Sequence, residues 1–84
     1  MKRNEMRQQL DLINRILKNA GFTKQFSITH RYDYYGLDVE LPGGGLTGPL
    51  ITGRFVDCLN EAYVRALIWI AEKNYPDAFG SVDS

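Results

Sequence analysis

Two stretches of helical spacing enclose one stretch of strand spacing, and this order constrains the fold more than anything else in the sequence. Met6, Leu10, Ile13, Leu17 and Ala20 recur every three or four residues and line one side of a helix. From Gln25 to Leu41 the period drops to two. Phe26, Ile28, His30 and Tyr32, then Tyr35, Leu37, Val39 and Leu41, alternate with polar residues and glycine. From about Phe55 the helical spacing returns, with Phe55, Leu59, Ala62, Tyr63, Ala66 and Ile70 on one side and Asp57, Glu61, Arg65 and Glu72 on the other. A bare hairpin is marginal in water, so the two helices are expected to cover one face of the sheet. The expected fold is a two-layer α+β sandwich: helix, antiparallel hairpin, a possible short third strand, helix. Ser27, Thr29, Arg31, Asp38 and Glu40 would then lie on an open polar face.

Local signals set the boundaries. Asn4 reads as the cap of the first helix, with Glu5 in its first turn. In "LKNAGF", Gly21 falls where a left-handed residue ends a helix, and Phe22 can fold back on Leu17. Leu12 and Ile16 are expected to widen the apolar side. The hairpin allows two registers. A two-residue turn at Asp33-Tyr34 pairs Ile28 with Val39, and a four-residue loop from Asp33 to Gly36 pairs Ile28 with Leu41. Glycine suits the positive φ of a turn and tyrosine does not, which favours the longer loop. "PLIT" (49–52) is the candidate third strand, and Pro76 explains why the second helix stops near Asn74. Residues 1–75 form one domain, because 84 residues cannot supply two cores, and 76–84 read as a loose tail on which Phe79 could dock.

Residues 41–53, "LPGGGLTGPLITG", concentrate five of the eight glycines and contain a G-x-G-x-x-G. A dinucleotide site needs a helix opening inside that motif, and a phosphate-binding P-loop needs Gly-Lys-Ser/Thr at its end. Here proline follows the last glycine of the motif, and Gly-Arg-Phe stands where the lysine would be, so the stretch reads as a connector. Cys58 and His30 are the only thiol and imidazole. Near the start of the second helix Cys58 could gain thiolate character, which keeps a Cys–His nucleophile in view. A buried thiol and a core histidine are the expected outcome instead. No metal site and no cofactor is expected, and the chain is read as non-enzymatic.

Two binding surfaces remain. Val64 and Ile68 fall among the charged residues of the second helix, with Arg65 between them and Trp69 at the boundary, and Tyr34 and Tyr35 sit at the hairpin loop. Such residues are the usual anchors of a protein contact, so the first expectation is a protein-interaction module whose partner is another protein or a second copy, a homodimer through the second helix. The alternative starts from charge. Residues 1–31 carry seven cations against two anions and the rest carry three against eight, although the whole chain is neutral. Arg3, Arg7, Lys18, Arg31 and Tyr34 could form an RNA or single-stranded DNA surface. One cysteine requires no oxidising compartment, and no segment reads as a signal peptide or membrane span, so the expected location is cytoplasmic.

Overall fold

The computed structural model describes residues 3–79, with the side chains of Arg3 and Phe79 outside that description. The fold is α+β. Helix α1 (Arg3–Asn19) leads into strands β1 (Gln25–Arg31), β2 (Tyr34–Glu40) and β3 (Ile51–Gly53). Helix α2 (Phe55–Asn74) and a four-residue helix α3 (Pro76–Phe79) follow. The sheet is antiparallel, in the order β1-β2-β3. Leu10, Ile13 and Leu17 of α1 and Phe55, Cys58, Leu59, Ala62 and Ala66 of α2 close over Phe26, Ile28, Leu37 and Val39. Both helices therefore cover the same face of the sheet, as the alternation requires.

The ends of α1 show one expectation met and one corrected. Gly21 adopts φ +96°, Phe22 N–H bonds to Leu17 C=O at 3.0 Å, and Gly21 N–H bonds to Lys18 C=O at 3.0 Å. These are the two bonds of a Schellman motif, in which a left-handed residue satisfies carbonyls the helix would otherwise orphan. Lys73, at the end of α2, donates from Nζ to Ala20 C=O and sits 5.1 Å from the centre of the Phe22 ring. A cation thus lies at the negative end of the α1 dipole. At the other end the helix is already under way at Arg3, so Asn4 lies inside the first turn and is not the cap.

α1 is held to the sheet by one amide. Asn14 donates from Nδ2 to Phe26 C=O at 2.9 Å, and its Oδ1 accepts from Phe26 N–H at 2.8 Å. β1 is an edge strand, and Asn14 supplies the two bonds that a further strand would make at Phe26. This contact fixes the roll of α1. Leu10, Ile13 and Leu17 turn to the core, while Leu12 and Ile16, expected to widen that face, stay exposed.

The hairpin adopts neither expected register. Its turn is Tyr32-Asp33, so that Arg31 pairs with Tyr34, Ile28 with Leu37 and Phe26 with Val39. Tyr32, which the alternation placed inward, takes φ +51° and is 93% exposed. A bulky residue there is strained. The strain is offset because the tight turn lets all seven residues of each strand pair, stacks His30 on Tyr35 with centroids 4.7 Å apart, and keeps Gly36 in the sheet. His30, expected in the core, is instead exposed, because the end of β1 lies beyond the reach of helix cover. All three registers differ by even steps, which is why the inward faces of both strands survive the slip.

The opposite sheet face is not open at its centre. Asp38, expected to be solvated, is 0% exposed. Arg31 reaches it from Nη2 at 3.1 Å and Thr29 donates Oγ1–H to it at 3.1 Å. The guanidinium lies across Gly36, where a Cβ would stand 2.9 Å from Arg31 Nε and 3.4 Å from Pro49 Cβ. Residues 76–79 form a helical turn, whereas 80–84 of the expected tail, and the expected docking of Phe79, lie outside the described residues and side chains.

Two measurements check this account. Asn14→Ala removes both edge bonds and should cost about 2 kcal/mol in denaturant unfolding, since a net hydrogen bond contributes about 1 kcal/mol and a donor left without a partner costs more. Tyr32→Asn keeps the turn but relieves the left-handed strain. It should raise stability by about 0.5–1 kcal/mol, because asparagine tolerates positive φ and the exposed ring makes no core contact.

Candidate functional site

The glycine-rich segment is a second hairpin connection. Leu41 N–H bonds to Gly45 C=O at 2.7 Å and Gly44 N–H to Leu41 C=O at 3.0 Å. Thr47 N–H then bonds to Val39 C=O at 3.1 Å, Val39 N–H to Thr47 Oγ1 at 3.3 Å, and Leu50 N–H to Leu37 C=O at 2.7 Å. These amides are spent on the segment itself and on β2, so they do not converge on a cradle. β3 starts at Ile51, two residues after Pro49, and α2 starts only after Gly53. A groove of about 630 Å³ separates the loop tip, Leu41–Gly44, from the α1–β1 connection. Gln25 and Glu40 bond to each other on its wall at 3.1 Å.

Cys58 and His30 meet the same residue without meeting as a catalytic pair. The Cys58 thiol is fully buried and donates to Tyr35 C=O at 3.6 Å. Burial pushes its pKa above the ordinary 9.0, and the carboxylates of Asp57 and Asp38 push the same way. His30 instead stacks on the Tyr35 ring at the exposed end of β1. A helix N-terminus favours a thiolate, but here desolvation outweighs it. Among the described residues no group of three or more His, Cys, Asp or Glu side chains could hold a metal ion. No described helix is long and apolar enough to cross a membrane.

The basic residues are dispersed. Arg31 is committed to Asp38. Arg7 places its guanidinium carbon 5.4 Å from the centre of the Phe55 ring, and Lys18 is exposed near the other end of α1. The side chain of Arg3 lies outside the described set. Lys24, in the α1–β1 connection, has its Nζ 3.9 Å from the centre of the Trp69 ring.

The apolar candidates separate into two places. Trp69 is half-buried, stacked on Phe26 with centroids 4.6 Å apart, so its ring faces the core. Tyr35 is half-buried between His30 and Phe55, and Tyr34 is 37% exposed. Both tyrosines line a shallow hollow with Met6, Arg54 and Val56. Val64 lies about 12 Å further along α2 from Val56, at 1.5 Å per residue, so the hairpin tip and the middle of α2 do not form one site.

The middle of α2 belongs instead to a surface made jointly with α1. Tyr63, assigned inward from its spacing, is exposed, as is Leu67. Together with Leu12 and Ile16 they flank the seam between the helices. Leu12, Ile16 and Tyr63 line a groove of about 380 Å³, and Ile16, Tyr63 and Leu67 line a smaller hollow beside it. Val64, three residues before Leu67, and Ile68, four after Val64, continue this surface. Arg65, next to them in sequence, is held by Glu61 at 2.7 Å. Sequence spacing recognised Val64 and Ile68 and missed Leu12, Ile16, Tyr63 and Leu67, because they lie at the edges of their apolar stripes. Only the position of the neighbouring helix decides whether an edge residue is covered. Compared with known proteins, the chain matches no family model, no curated protein and no solved structure.

The thiol has a direct test. Alkylation of Cys58 at neutral pH should be slow in the native protein and should speed up by orders of magnitude in denaturant. With a folded pKa raised above 9.0, the stability that Cys58 contributes is full below that pH and declines as pH rises past it.

Proposed function

We propose that this protein works without chemistry of its own, as a module that binds a protein partner through the outer face of its helical layer. The observation that carries the reading is the run of six large apolar side chains, Leu12, Ile16, Tyr63, Val64, Leu67 and Ile68, each 43–53% exposed. Single exposed apolar residues need no explanation, but a contiguous patch over two helices does. Its chemistry suits a partner that offers apolar side chains of its own, with Glu61, Arg65 and Glu72 as a polar rim. The hairpin tip, with Tyr32 and Tyr34 exposed, is a second and smaller contact in this reading.

Nucleic acid is the competing partner. Of its candidate residues, Arg31 is neutralised by a buried carboxylate, and what remains is a sparse cationic flank on α1. Phosphate binding draws on several free cations acting together, so the geometry supports this reading less.

A benzophenone side chain placed at position 67 should crosslink to a protein of discrete mass in cells. The same probe at Thr52, exposed on β3 at the far side of the sheet, should give no adduct. Absence of an adduct from position 67, or equal adducts from both positions, would overturn the reading.

A further inference from the structure

We propose that the occupant of this face is a second copy of the chain, arranged so that α1 of each copy lies over α2 of the other. The proposal rests on the association reading above and adds the partner and its orientation.

Exposed area favours a second copy. The six side chains, each about half exposed, offer on the order of 500 Å² of apolar surface, since large side chains present roughly 150–250 Å² when fully exposed. Two such faces brought together remove roughly 1,000 Å² from water before any rim is counted, which reaches the lower bound for a specific interface. Along α2 Asn60, Val64 and Leu67 are exposed and uncharged, and Asp57, exposed beside Val64, is already paired with Arg54 at 3.3 Å.

The charge on either side of the face selects the orientation. The outer flank of α1 carries Arg7, Arg15 and Lys18 against Asp11, a net two positive charges. The outer flank of α2 carries Asp57, Glu61 and Glu72 against Arg65 and the Arg54 that bridges Asp57 at 3.3 Å, a net one negative. The two helices run in the same direction, because Arg7 reaches Phe55 at one end and Lys73 reaches Ala20 at the other. A two-fold axis parallel to the helices puts each α1 over the partner's α2, and the cationic flank meets the anionic flank twice. An axis across the helices puts each helix over its own copy and brings like charges together. The first arrangement aligns four helix dipoles, but that cost is concentrated at exposed helix ends, where solvent screens it.

Sedimentation equilibrium of the full chain across micromolar to submillimolar concentration tests this directly. The expected result is a reversible species of twice the 9.6 kDa chain mass that weakens as salt is added. Leu67→Glu should weaken it by about 100-fold or more, the scale of a central interface residue, with the far-ultraviolet spectrum and melting temperature retained. Lys18→Glu should also weaken it, and adding Glu72→Lys should restore it. Both positions are exposed, so this pair reads the interface even if Leu67→Glu fails to fold.

A chain that stays monomeric throughout overturns the proposal, and a crosslink from position 67 to a different protein would then still support the broader reading. A dimer that neither Leu67→Glu nor Leu12→Glu disturbs also overturns it. Failure of the charge swap to restore association overturns the α1-over-α2 arrangement.

Discussion

The Asn14 amide on the edge of β1 is the contact from which most of the molecule can be derived. An edge strand must hide its unpaired backbone groups or risk pairing with another chain. Here a side chain does so at Phe26, with bonds of 2.8 and 2.9 Å. To place that amide, α1 must roll towards the sheet edge. The roll sends Leu10, Ile13 and Leu17 into the core and leaves Leu12 and Ile16 on the outer surface beside α2. A local hydrogen-bonding requirement thus determines which apolar residues the protein presents to its surroundings.

The second sheet face obeys a different constraint. Asp38 is removed from water with Arg31 and Thr29 as partners, an arrangement that offsets a desolvation cost of several kcal/mol per buried ion. Gly36 is needed because its missing side chain is the space the guanidinium occupies. The ladder from Thr47 to Leu50 binds the glycine-rich segment to β2, which turns a motif of nucleotide-site appearance into a hairpin. Two features that looked functional are therefore structural: the glycine-rich loop is a hairpin connection along β2, and Arg31 is the partner of the buried Asp38.

A domain of 84 residues can bury only about 60% of its unfolded surface, so some apolar side chains are always left over. Among the described residues, six of the eleven exposed large apolar side chains share one face across two helices, while charged residues occupy its flanks. That concentration underlies the proposed association, and the opposed charges of the two flanks give the proposed dimer its orientation.

Periodicity was enough to read the order of elements, the centre of the inward side of each helix and the cap at Gly21, because each depends on residues within a few positions of one another. The facing of the strands was legible for the same reason, and even-numbered register slips leave it unchanged. The hairpin turn was not. Local preference argued against a tyrosine in a tight turn, and pairing along the whole of both strands outweighed it at Tyr32. The burial of Asp38 was hidden because it depends on an arginine seven residues away crossing a glycine. Leu12, Ile16, Tyr63 and Leu67 lie at the edges of apolar stripes, where the sequence determines that a residue is greasy but only the neighbouring helix decides whether it is covered. Chain-local geometry belongs to the sequence, and exposure at a boundary belongs to the tertiary structure, because it is a property of two elements at once.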